Sequence, residues 1–124
     1  MKENKFLYFR TQATDAEDDS HDDSACYPAS SLMGMAPASD STLELAFLPR
    51  LRRPGNFGID HDLVTLTLTT NNTHIAAMKA IVDAINSNIT NENMIVVAND
   101  DSGGTEYLAK SGIASVATIV VRGV

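Results

Sequence analysis

The sequence predicts an α+β fold that is mainly β. It is read as a single domain over residues 1–124, with a mixed sheet of five or so strands and one long amphipathic helix at residues 72–88 in a strand–helix–strand unit. Three observations carry this prediction. "STLELAFLP" and "DLVTLTLTT" alternate apolar and polar residues with period two, which marks half-buried strands. "NNTHIAAMKAIVDAINSN" repeats apolar residues at spacings of three and four, the helical period. A chain of 124 residues that is 44% hydrophobic can build one core without disulfides or metal.

The elements follow in order. "KFLYFRT" (Lys5–Thr11) reads as a first strand, apolar on both faces. Ser24–Asp40, with two prolines and a glycine, reads as extended segments and turns. Leu43, Leu45 and Phe47 share one face of the next strand, which Pro49 ends. A loop at 50–61 leads to a strand with Val64, Leu66 and Leu68 on one side and Thr65, Thr67 and Thr69 on the other, where β-branched residues suit a pleated surface. In the helix, Ile75, Met78, Ile81, Val82 and Ile85 form one apolar stripe. An Asn or Thr among residues 71–73 caps its start, Asn86 and Asn88 close it, and His74 in its first turn is expected to be exposed. "NMIVVAND" is a buried strand, "NDDSGGTEY" a flexible turn, and "GIASVATIVV" the last strand. A helix between two strands of one sheet makes them parallel, with a right-handed crossover. One helix covers only one sheet face, so the threonine row and the second side of the first strand are expected to be covered by a neighbouring subunit.

The formal charge is −7, and six of the sixteen carboxylates lie between Asp15 and Asp23; the remaining ten stand against nine Lys and Arg. The acidity therefore belongs to one loop, at 14–24. An acidic chain is poorly suited to nucleic acid, whose binding depends on Lys and Arg displacing counterions. The N-terminal stretch lacks the apolar core of a signal peptide, and no apolar run reaches membrane-spanning length. Synthesis in the cytoplasm and no membrane partner are the expectations.

The acidic loop invites a calcium reading, because Asp15, Glu17 and Asp19 have alternate spacing. The EF-hand pattern nevertheless fails: its sixth place is Ser20 and its twelfth Cys26, where the motif needs Gly and a bidentate Glu. Asp15, Glu17, Asp19, Asp22 and Asp23 remain candidates for a looser divalent-cation site, against the plainer reading of a solvated, self-repelling loop. No other cofactor is indicated. Cys26 is the only cysteine, which excludes an intrachain disulfide and a cysteine-based zinc site. Carboxylates near it would destabilise a thiolate, so a buried structural thiol is expected rather than a nucleophile. His21, His61 and His74 form no His-x-x-x-His pair, and the Gly pair in "NDDSGGTEY" lacks the lysine of a phosphate loop. The residues point away from an enzyme.

Two features suggest contacts. Arg50, Arg52 and Arg53 form the single basic cluster, suited to the acidic loop of a neighbouring copy, to a phosphate or RNA, or simply to solvent. Met33 and Met35 flank Gly34 and suit either an adaptable interface patch or gap-filling in the core.

Taken together, "LYFRT", the acid-rich spacer, "YPASSLMGM-P-SDST", "MKAIVDAIN" and "MIVVAND" resemble small uncharacterised proteins encoded by marine tailed phages, including T4-like cyanophages, and found in ocean metagenomes. The similarity runs through most of the chain in the same order. It implies a phage origin and a virion-associated or accessory structural role, and it supplies no catalytic residues. The expected function is a non-enzymatic capsid-accessory protein acting as a homo-oligomer or with other virion proteins, made in the host cytoplasm. Two alternatives stand beside it: an intracellular phage accessory protein engaging a basic host surface through its acidic loop, and a calcium-stabilised binding module.

Overall fold

A computed structural model describes residues 5–11, 23–48, 61–86, 94–100, 105–108 and 110–120. Their order is β1 (Phe6–Arg10), β2 (Ser24–Pro28), a 3-10 turn (Ala29–Ser31), β3 (Leu32–Ser39), β4 (Thr42–Phe47), β5 (Asp62–Leu68), α1 (His74–Asn86), β6 (Met94–Asn99), β7 (Glu106–Tyr107) and β8 (Ile113–Val120). The mainly-β α+β class with one helix holds. The strands, however, form two sheets of four, ordered β2-β1-β6-β7 and β3-β4-β5-β8.

Alternation decides which side chains meet between the sheets. Leu7 and Phe9 of β1 point inward, as do Leu43, Leu45 and Phe47 of β4 and Val64 and Leu66 of β5, all fully buried. The aromatic residues interlock: Tyr27 stacks on Phe47 with centroids 4.3 Å apart, and Phe9 meets the same ring edge-on at 5.9 Å. Each sheet thus covers the other's inner face. The anticipated single sheet, needing a subunit to cover its second side, gives way to a sandwich whose outer faces carry the surplus.

The strand–helix–strand unit is also corrected. β5 and β6 lie in different sheets, so α1 carries the chain across the sandwich rather than over one sheet. β6 is parallel to β1 instead, with Leu7 opposite Ile95. The helix packs against β4 of one sheet and β6 of the other. Its buried stripe is Ala77 and Ile81, with Met78, Ala84 and Ile85 partly buried beside them. Ile75 and Val82, placed by the sequence on the apolar face, are 69% and 42% exposed. At about 100° per residue, both lie more than a quarter-turn from Ile81.

The helix start is tied to the β3–β4 hairpin. His74 is half-buried rather than exposed, and its Nε2 lies 2.8 Å from the Ser39 carbonyl and 3.0 Å from that of Thr42. Two acceptors around one ring nitrogen require that nitrogen to carry the proton. Asn72, in a left-handed conformation at φ 63°, donates its backbone N–H to Asp40 O at 2.8 Å. The hydroxyl of Thr73 donates to Thr70 O at 2.7 Å and closes the same turn.

Candidate functional site

Among the described residues, two tyrosine–carboxylate pairs make polar ties near the core. Tyr27, on β2 of the first sheet, donates its hydroxyl to Asp62 Oδ2 at 2.7 Å, and Asp62 on β5 of the second sheet is fully buried. Phe47 and Asp62 are direct partners in the β4–β5 register, so the tyrosine ring lies over one and its hydroxyl reaches the other. Extending the β5 alternation two residues back from Val64 places Asp62 inward, a signal present in the sequence but masked by the expectation that acids face water.

The second pair sits at the opposite edge of the first sheet. Tyr107 donates to Asp100 Oδ1 at 2.5 Å, while Asp100 Oδ2 accepts the backbone N–H of Val116 at 3.0 Å. That amide borders a bulge in β8, where the register to β5 slips between Thr65 and Leu66. One carboxylate therefore ties β7 of the first sheet to the edge strand of the second. β7 itself arises within the segment expected to be a turn.

Burial, the hydrogen bond to Asp100 and the nearby negative charge push the Tyr107 hydroxyl up to about 12 from its ordinary value of 10.0. Because the folded value is raised, the stabilisation is complete below about pH 10 and is lost as pH rises through about 12. Absorbance titration at the phenolate band should therefore show ionisation near pH 12, and Tyr107→Phe should reduce the amplitude of that step. A wild-type titration complete by pH 11 contradicts the tie.

Both carboxylates accept hydrogen bonds from structural donors. Cys26 is exposed on the outer side of β2, yet partial burial of its thiol pushes the pKa above the ordinary value, away from a reactive thiolate. The expectation of a buried thiol is thereby corrected: the side chain is at the surface. Among the described residues no group of three or more His, Cys, Asp or Glu could hold a metal ion. Asp15, Glu17, Asp19 and Asp22 lie outside the described residues, as do Arg50, Arg52, Arg53 and His21. Asp23 is described and buried, its carbonyl accepting both the backbone N–H and the hydroxyl of Thr11.

The remaining candidates are apolar surfaces. On the outer face of the first sheet, Phe6 and Met94 are register partners, 37% and 47% exposed, with Pro28 opposite Phe6 on the other side. Half-buried Tyr8 and Val96 continue this ridge. On the outer face of the second sheet, the register aligns Gly34, Ala46, Leu63 and Val120 across all four strands. Leu48 stands beside this row, exposed, as does Met33, the extra residue where the β3 register slips. Met35 is half-buried and packs against the core instead. Further along the same face, Thr42, Thr67 and Ser115 form a hydroxyl row.

Among the described residues no helix is long and apolar enough to cross a membrane. Compared with protein-family models, with curated proteins and with solved structures, the chain gives no match.

Proposed function

We propose that this chain is a non-enzymatic structural protein that works by associating with copies of itself. The observation that carries this reading is the clustering of exposed apolar side chains by strand register on the outer faces of both sheets, Phe6 with Met94 on one and Leu48 and Val120 around Gly34 and Ala46 on the other. Single exposed apolar residues are ordinary, whereas clusters on flat faces suit contact with another protein surface. The side chains named in the two clusters are uncharged, and Glu44 lies on the same outer face of β4 as Ala46, beside the second cluster. The resemblance to marine tailed-phage proteins supports a virion-associated setting, with synthesis in the host cytoplasm.

Static light scattering over a rising concentration series tests the reading. The mass should climb above that of the monomer, and a strict monomer at the highest concentration would sink it. Mass spectrometry of purified virions tests the setting separately: peptides of this chain among the capsid or tail proteins support it, and their absence from virions contradicts it.

A further inference from the structure

We propose that the Asp100 carboxylate caps a sheet edge that otherwise joins two copies of the chain, β8 to β8 in antiparallel register. β8 ends its sheet, and among the described residues no strand pairs with its far side. Its eight residues, IASVATIV, include no charge, proline or glycine. Such a segment on an open edge is a template for another chain. The other edges are less suited to pairing: β3 contains Pro37 and two register slips, β2 ends on Pro28, and β7 has two residues.

Register decides which backbone groups that edge presents. Leu68 donates its amide to Ser41 O at 2.7 Å, toward β4. Its partner Ile113 therefore points its own amide away from β5, and so do Val116 and Ile119, opposite Leu66 and Val64. The first two of these amides are capped by side chains. Ile113 N–H donates to Ser111 Oγ at 3.2 Å, and Val116 N–H to Asp100 Oδ2 at 3.0 Å. Asp100 is itself anchored: its backbone N–H donates to Arg10 O at 3.1 Å, and its Oδ1 accepts the Tyr107 hydroxyl at 2.5 Å. A strand added along β8 needs the Val116 amide, so the carboxylate and a second copy compete for one donor. With the carboxylate gone, two β8 strands centred on Val116 exchange both of its backbone bonds. That contact is self-complementary and closes at a dimer.

The full chain is compared with Asp100→Ala, Asp100→Asn, Tyr107→Phe and the double variant Asp100→Ala/Val116→Pro. Each is confirmed folded by near-ultraviolet circular dichroism and run in sedimentation velocity over a dilution series. Asp100→Ala should form dimers at concentrations about tenfold below those at which the wild type first associates. Asp100→Asn keeps an oxygen for the amide and should behave as the wild type. Tyr107→Phe weakens the same corner but leaves the cap, and should match the wild type too, which separates edge opening from loss of stability. Val116→Pro removes the contested amide at an edge position where proline is tolerated, and should return Asp100→Ala to the wild-type profile. Asp100→Ala that sediments as the wild type, or dimers that survive Val116→Pro, would overturn the proposal. Hydrogen exchange on the wild type checks the cap without any variant. Val116 N–H should be protected although it lies on an edge, and exchange at the rate of an unstructured peptide would overturn the cap even if Asp100→Ala did not fold. Val116 is buried between the sheets, so association through the outer faces is read separately. A wild type that stays monomeric sinks the face-to-face reading and leaves the capped edge standing.

Discussion

Phe47→Ala should cost about 3–5 kcal/mol of folding stability, the range for deleting a fully buried aromatic side chain. The ring is 0% exposed, stacked on Tyr27 with an interplanar angle of 10° and met edge-on by Phe9. Its removal empties a place where side chains of β1, β2 and β4 meet. Little can collapse into the space, because Phe9 and Tyr27 are held by strand pairing on the opposite sheet. For a chain of this length the loss corresponds to a drop of roughly 10–20 °C in Tm. Thermal and urea unfolding followed by circular dichroism would measure it. Phe47→Leu, which refills most of the volume, should recover more than half of the loss. A cost for Phe47→Ala under about 1 kcal/mol would mean that the aromatic cluster is not the joint between the sheets.

The second large effect is at Asp62. Asp62→Ala removes the acceptor for the Tyr27 hydroxyl inside the sandwich, where Tyr27 is only 1% exposed. A buried donor left without its acceptor costs about 1–3 kcal/mol. Asp62→Asn retains an oxygen at the same place and should cost less than Asp62→Ala. A double-mutant cycle with Tyr27→Phe isolates the pair: the coupling should be about 1–2 kcal/mol. Additive effects would show that the two residues act independently.

The strands were legible because burial alternates along them. Leu43, Leu45 and Phe47, and likewise Val64, Leu66 and Leu68, are buried as their spacing requires. Which strand pairs with which was not legible, because period two reports only that a face is covered. The pairing of β1 with β6 joins residues from opposite ends of the chain and leaves no local mark. The helix was legible, and Met78, Ile81 and Ile85 of its stripe do face the core, but Ala77 and Ala84 carry little apolar weight in a pattern, while Ile75 and Val82 are exposed. β7 was hidden because two residues, Glu106 and Tyr107, set no period.

The candidate contact surfaces divide in the same way. Met33 was suspected from its place beside Gly34 in a short apolar stretch, and it is 57% exposed. Phe6 and Met94 could not be joined from sequence, since only the parallel register brings them together. Nor could Gly34, Ala46, Leu63 and Val120, which come from four strands. The acidic and arginine loops were the more conspicuous features of the sequence. Pairing between those loops is electrostatic, whereas contact through the sheet faces is apolar, and the two respond oppositely to salt.

Sedimentation velocity of the wild type at low and high salt therefore tests the account most directly. Contact through the sheet faces predicts assemblies that persist or enlarge as sodium chloride is raised, because screening removes the repulsion between acidic copies and leaves apolar burial intact. A wild type that is monomeric in both, or assemblies that dissolve into monomers at high salt, would contradict it.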